Sequence, residues 1–238
     1  MEKKVLVTGA SRGIGYCIAE SFARRGYIVF ATYNKTEDTL PALSEKLRGE
    51  GYSLTPVFCD VSDEASVAKM YASVGDVDIL INNAGIAQFA LLSDISSADW
   101  DNMMGTNLKS AFLCSKAFSR GMINKGFGRI INISSVWGVV GASCETHYSA
   151  SKSGMIGFTR ALAKELGPSG ITVNCIAPGV IETEMNAHLS DADMAALCDE
   201  TPLGRIGKPE DIAHAALFFA EADFITGETL NVGGGFGM

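Results

Sequence analysis

Apolar positions in this chain fall into short unbroken runs separated by longer amphipathic stretches. Runs at 4–8, 28–32, 54–59, 79–82, 129–134, 171–177 and 229–232 read as strands, and several are continuous Val, Ile and Leu. A strand-length run without polar alternation predicts a parallel strand covered on both faces. The stretches at about 14–25, 39–49, 64–73, 99–125, 149–166 and 209–220 place apolar residues at helical spacing. Strand and helix in alternation predict right-handed βαβ crossovers and a doubly wound parallel sheet, an α/β fold.

Two segments stand outside this rhythm. Residues 182–201 have weak periodicity and no strand, and are long for a strand-to-helix connection. Such loops commonly act as lids over sites. The Gly-rich end, 233–237, reads as a flexible or interface-packed tail. No linker, repeat or low-complexity tract divides the chain, so 1–238 reads as one domain.

Composition narrows the function classes. Hydrophobic residues make up 47% of the 238 positions, which is enough for a substantial core. A net charge of −8, with the 19 basic residues scattered, argues against a nucleic-acid surface. The amino-terminal residues do not pattern as a signal peptide, and the apolar runs fall short of a membrane span. A cytoplasmic protein without a membrane partner is expected. The six cysteines (17, 59, 114, 144, 175 and 198) form no C-x-x-C pair and no cluster with His, so neither metal nor disulfide is expected.

Four motifs carry chemistry. Gly9, Ser11, Arg12, Gly13, Ile14 and Gly15 lie in a glycine-rich turn between the first strand and the first helix. There, backbone N–H groups and a helix N-terminus suit a dinucleotide pyrophosphate. At the end of the second strand, Tyr33, Asn34 and Lys35 stand where an acid would bond the ribose 2′-hydroxyl of NAD. With that acid absent, Arg12 and Lys35 favour a 2′-phosphate, hence NADP(H). Glu37 and Asp38 read as caps of the next helix. Asp60 and Val61 end the third strand, where a carboxylate can accept from an adenine amino group and Val61 can pack on the ring; a helix N-cap is the alternative. Asn83, Ala84 and Gly85 follow the fourth strand, where the amides can tie backbone and line a ribose site.

The decisive constellation is Ser135, Tyr148 and Lys152. Ser135 ends a strand at the carboxyl edge, where doubly wound sheets hold ligands. Tyr148 and Lys152 are i and i+4, on one helix face. A phenol with a pKa of ~10 needs a nearby cation before it exchanges protons readily at neutral pH. Lys152 supplies that cation.

With these residues in view, the chain resembles the short-chain dehydrogenase/reductase family over its whole length, most of all its 3-oxoacyl-[acyl-carrier-protein] reductase group. The resemblance rests on TGASRGIG (8–15), NNAG (82–85), Asn107, SS (134–135), YSASK (148–152), Pro178 and Gly179 with Thr183, and ITGETLNVGGG (225–235). It implies a single Rossmann-type domain with seven parallel strands in the order 3-2-1-4-5-6-7 and a homotetramer. It also implies that Tyr148 is the general acid, that Ser135 bonds the carbonyl, and that Lys152 lowers the tyrosine pKa and holds the ribose. Asn107 would hold a water of a proton relay, and Thr183 with the Ile181 backbone would orient the nicotinamide. The implied substrate is a small-molecule or carrier-bound ketone, in particular a 3-oxoacyl thioester.

The sequence departs from that group in its basic residues. Gly126-Phe127 and Pro168-Ser169 stand where carrier-docking cations are usual, although Lys125 and Arg129 lie close by. The segment from Trp137 through Glu145 to Tyr148 resembles a subgroup that reduces the 5-aminopentanone group on a lysine of elongation factor P. Glu145 there would attract an ammonium-bearing substrate, or cap the helix or face solvent instead; Trp137 would wall the pocket. Dehydrogenation of another secondary alcohol is a third reading. An inactive nucleotide-binding regulator is the least favoured, because Asn107, Ser135, Tyr148 and Lys152 are all retained.

Overall fold

The computed structural model describes residues 2–34, 39–186 and 190–237. Lys35, Glu37 and Asp38 lie outside them. Seven strands, β1 (Lys4–Val7), β2 (Ile28–Tyr33), β3 (Leu54–Phe58), β4 (Ile79–Asn82), β5 (Gly128–Ile133), β6 (Ile171–Pro178) and β7 (Thr229–Val232), form one sheet. Their order is β3-β2-β1-β4-β5-β6-β7 and every pairing is parallel, as the sequence implied. The chain leaves β1 toward one edge and returns on its other side with β4. That reversal opens a crevice at the carboxyl ends of β1 and β4.

Nine helices occur among the described residues: α1 (Gly13–Arg24), α2 (Thr39–Gly49), α3 (Glu64–Val74), α4 (Ser97–Met104), α5 (Ser110–Lys125), α6 (Trp137–Val140), α7 (Thr146–Leu166), α8 (Asp191–Glu200) and α9 (Pro209–Glu221). Alternate strand residues supply two cores. Val5, Val7, Ile79 and Ile81 pack under α1, α2 and α9, with Phe22, Leu43 and Phe219. Leu6 and Leu80 point the other way, into Val67, Phe118 and Leu166 of α3, α5 and α7. This two-sided burial is why the strands read as continuous apolar runs. None of the described helices is long and apolar enough to cross a membrane.

Four local expectations need correction. The helix expected over 99–125 is broken by a π-helical segment, Gly105–Lys109, between α4 and α5. The helix expected from 149 begins at Thr146, so Tyr148 lies in its first turn. Segment 182–201 holds a 3₁₀ turn, Glu184–Asn186, and α8, which a reciprocal Ser190–Asp193 capping box starts. The tail at 233–237 packs within the chain: Leu203 N donates to Gly234 O at 3.1 Å.

Candidate active site

Strand β1 delivers Thr8 into the turn that precedes α1. Thr8 Oγ1 accepts from Asn83 N at 3.0 Å and Ala84 N at 3.1 Å, and Asn83 Nδ2 donates to the carbonyls of Thr8 and Gly9, both at 2.9 Å. Asn83 therefore ties the end of β4 to the glycine-rich turn, as its position suggested, whereas the Asn82 amide donates to Ser115 and Asn132. Close approach dictates the glycines. A Cβ on Gly15 would lie 2.4 Å from both Asn83 Nδ2 and Gly9 O, and one on Gly9 would lie 2.7 Å from Ala84 Cα.

Arg12 is the N-cap of α1, makes no side-chain capping bond, and no acid occupies the first turn. The helix N-terminus is thus free of an internal side-chain anion, and the donor set fits a pyrophosphate. Ser11 gives its carbonyl to Thr39 Oγ1 at 2.8 Å. Across the cleft Thr183 faces Gly13, where a Cβ would stand 3.3 Å from Thr183 Cγ2. Arg12 Nη1 reaches Glu184 Oε2 at 3.2 Å, in an ion pair exposed on both sides. Asn186 Nδ2 donates to Ile181 O at 2.8 Å.

At the neighbouring strand ends, Tyr33 closes β2 against Phe58, ring centroids 5.8 Å apart. Asn34 follows directly, with no acid beside it. Asp60 Oδ1 accepts from Ser62 N at 3.0 Å and Ser62 Oγ at 2.7 Å, in a local turn. The N-cap of α3 is Asp63 rather than Asp60. Val61 is buried in the second core, so its side chain serves packing.

Strand β5 ends beside the reactive cluster. Ser135 Oγ accepts from Trp137 N at 3.2 Å, and Ser134 Oγ donates to Lys152 O at 2.8 Å, fixing α7 against the strand end. Tyr148 and Lys152 are both buried. Lys152 Nζ donates to Ile133 O at 2.8 Å and stands 5.8 Å from the Tyr148 ring centroid. Burial pulls Lys152 down to about 8 and pushes Tyr148 up to about 12. For Tyr148, the Ser135 hydrogen bond opposes the rise and the Glu145 carboxylate adds to it. The phenol's pKa is thus raised overall, since desolvation by burial is the largest influence on it.

Asn107 is fully buried within the π-helical segment. Its Oδ1 accepts from Ile86 N at 2.8 Å, while Nδ2 donates to Ile86 O at 2.9 Å and Ser151 Oγ at 3.0 Å. Gly85 lies against both groups: a Cβ there would stand 3.2 Å from Asn107 Oδ1 and 3.4 Å from Lys152 Nζ. The π turn sets Asn107 against the Ile86 backbone and Ser151, and such bulges are frequent at functional sites.

Glu145 is the N-cap of α7 without a side-chain capping bond, so that capping alternative is not met. Several neighbours had no signal in the sequence. His147 is fully buried with Nε2 3.2 Å from Gln88 Oε1, and Ala90 N donates to Cys144 O at 2.8 Å. These two contacts join the loop after β4 to the start of α7. No group of three or more His, Cys, Asp or Glu that would suit a metal occurs among the described residues. The cations Lys125 and Arg129 are both paired, to Asp78 and Asp223 respectively.

Comparison with known proteins matches this geometry. The short chain dehydrogenase family model matches residues 3–194. The 3-oxoacyl-[acyl-carrier-protein] reductase of Escherichia coli (strain K12) is 46% identical over 242 residues, covering 99% of this chain and 98% of the relative. A crystal structure of 3-oxoacyl-[acyl-carrier protein] reductase from Brucella melitensis superposes with a TM-score of 0.94 at 36% identity, covering 100% of this chain and 92% of that one. Another from Brucella melitensis, with bound NAD, gives a TM-score of 0.91 at 36% identity and the same coverage. The chain belongs to the short-chain dehydrogenase family, oxidoreductases that use a nicotinamide cofactor.

Proposed function

We propose that this chain is an NADPH-dependent carbonyl reductase that converts a 3-oxoacyl thioester to its 3-hydroxy product. One observation carries the reading: a buried tyrosine, with Ser135 near enough to oppose its pKa rise, stands one helical turn from a buried lysine beside a phosphate-fitting turn. The identity to 3-oxoacyl-[acyl-carrier-protein] reductases supports the substrate class.

The glycine-rich turn (Gly9, Ser11, Arg12, Gly13, Ile14, Gly15) holds the pyrophosphate. Asp60 and the Val61 backbone flank the adenine, and Asn83, Ala84 and Gly85 flank the ribose. Tyr33, Asn34 and Arg12, with Lys35, meet the 2′-phosphate. Pro178, Gly179, Ile181 and Thr183 border the nicotinamide. The absence of an acid at Tyr33-Asn34 supports NADP(H). When bound, the nicotinamide supplies the hydride.

Negative charge growing on the ketone oxygen meets two donors, Ser135 and Tyr148. At neutral pH Tyr148 keeps its proton, because its pKa lies at about 12, so it is in the form an acid requires. Lys152 holds the ribose and lies where its charge stabilises the phenolate left after donation. Asn107 Oδ1 and Lys152 Nζ both lie close to Gly85, which supports a proton path from solvent back to Tyr148. Trp137 walls the ketone pocket, with Glu145 at its mouth. We read 1–238 as one cytoplasmic domain with 182–201 as lid. The exposed Phe112 and Ile123 of α5 support assembly into a homotetramer.

A second reading is favoured by Glu145. Its carboxylate lies close enough to raise the Tyr148 pKa, and a negative charge there suits an ammonium-bearing ketone, such as 5-aminopentanone on a lysine of elongation factor P. The pairing of Lys125 and Arg129 points the same way, since it leaves less positive charge for an acidic carrier. Steady-state NADPH oxidation with acetoacetyl-CoA and with a neutral and an amino-bearing ketone separates the readings. Turnover of acetoacetyl-CoA is expected. Turnover of the amino ketone alone would overturn the thioester reading in favour of the second.

A further inference from the structure

The tail 233–237 is tied at three places to segments far away in sequence. Beyond β7 the backbone of Gly233 crosses that of Gly179, just after Pro178; a Cβ on Gly179 would fall 2.7 Å from Gly233 Cα. Next, Gly234 O accepts from Leu203 N at 3.1 Å. Gly235, at φ +93, lies against Pro202, where a Cβ would meet Cγ at 2.7 Å. Pro202 and Leu203 form the base of the lid, because α8 ends at its C-cap Thr201. Thr201 Oγ1 donates to Leu197 O at 2.7 Å and so holds the last turn of α8 to that base.

Finally, the chain folds back, with Phe236 N donating to Gly233 O at 3.0 Å. This buries Phe236 to 7% exposure, and its ring meets Trp137 edge to face, centroids 5.4 Å apart at 71°. Trp137 N is the donor to Ser135 Oγ at 3.2 Å. The backbone at Gly237 closes on Val136, where a Cβ would stand 2.5 Å from Cγ2. A run of glycines interrupted by one aromatic thus does two things. The glycines allow backbone to meet backbone and proline, and the ring fills the space behind Trp137.

We propose that Phe236 is a specificity-determining positioning residue, which braces Trp137 and Ser135 against the base of the lid and so sets the shape of the ketone pocket. It acts through Trp137, whose ring it meets edge to face. The claim rests on the reading of Ser135 and Trp137 as ketone contacts. It predicts that removing the ring disturbs ketone binding and leaves cofactor binding intact, since an edge-to-face pair orients its partner as well as burying area.

The test uses the full chain carrying Phe236→Ala, made also in a Trp100→Phe background so that Trp137 is the sole reporter of emission. KM for acetoacetyl-CoA should rise about tenfold, with kcat and NADPH affinity within about twofold of the parent. Trp137 emission in the ligand-free protein should shift to the red. An unchanged KM with unchanged emission would overturn the proposal, as would a loss of NADPH affinity parallel to the rise in KM. Phe236→Leu keeps apolar volume and covers the case in which the alanine variant fails to fold. It should raise KM in the same direction by about threefold, and parental KM and emission would overturn the proposal. If the parent turns over no ketone, the proposed function fails by itself. Trp137 emission then decides the bracing alone: a red shift supports it and an unchanged spectrum overturns it.

Discussion

On the nucleotide side of the cleft, contacts run between neighbouring parallel strands and one turn. Thr8 Oγ1 serves two N–H groups of the β4 loop, and Asn83 serves two carbonyls of the β1 turn. On the ketone side, contacts join loops far apart in sequence: Ala90 to Cys144, Gln88 to His147, Leu203 to Gly234, Trp137 to Phe236. The first arrangement is side chain against backbone, closed at glycines that leave no room for a methyl group. The second joins loops and helix starts, by backbone bonds at Ala90–Cys144 and Leu203–Gly234 and by side-chain contacts at Gln88–His147 and Trp137–Phe236. Under the proposed function, cofactor binding rests on the first set of contacts and the choice of ketone on the second.

Substitutions test that contrast, and the largest effect is expected where glycine permits the closest approach. Gly15→Ala inserts a methyl 2.4 Å from Asn83 Nδ2 and Gly9 O. It should cost ~2–3 kcal/mol of stability and abolish measurable NADPH binding, read by denaturant unfolding and titration calorimetry. Near-parental binding would show that the turn is adaptable and would erase the contrast.

Lys152→Met comes next. Burial lowers the folded-state pKa of Lys152 from 10.5 to about 8, so between those values the unfolded chain binds more protons. Stability therefore rises with pH across that window, and below it the buried ammonium is a full cost. Near pH 7 the methionine variant should be more stable by ~2–3 kcal/mol, an advantage that shrinks as pH rises through about 8 toward 10.5. Unfolding curves at several pH values check this. A gap that does not vary with pH would mean that the lysine carries no buried charge. The same variant should lose activity, so stability and function part at this residue.

Glu145→Gln probes the ketone side. Its carboxylate raises the Tyr148 pKa, so its removal should move the pH profile of the reverse, alcohol-oxidising reaction to lower pH. Turnover of an amino ketone should fall about tenfold while a neutral ketone is spared. Equal losses on both would remove Glu145 from substrate choice.

Smallest of all is Arg12→Ala. The Arg12–Glu184 pair is exposed on both sides, so stability should change by less than about 1 kcal/mol. The preference for NADPH over NADH should fall about tenfold. An unchanged preference would shift 2′-phosphate recognition to other residues.

The same contrast explains what the sequence disclosed. Two-sided burial leaves its mark in each strand, so the alternation at Leu6 and Leu80 against Val5, Val7, Ile79 and Ile81 needed no partner to be read. The Gly-rich turn and the Tyr148–Lys152 spacing are likewise local. The π turn at Asn107 was hidden because one extra residue only slips the phase of a periodic pattern. Phe236 was hidden because glycine reports what backbone is permitted, and says nothing of what it touches. Contacts such as Ala90–Cys144 join two loops and leave no periodic trace. The start of α8 was legible in Ser190 and Asp193, whereas its weak apolar stripe concealed the helix itself.

The central claim is that Tyr148 gives the proton to the reduced ketone. The direct measurement is single-turnover NADPH oxidation with acetoacetyl-CoA by the parent and by Tyr148→Phe, with NADPH affinity measured on the same samples. The account predicts unchanged affinity and a rate at least about a thousandfold lower. A phenylalanine variant within tenfold of the parent rate, at equal cofactor binding, would contradict it.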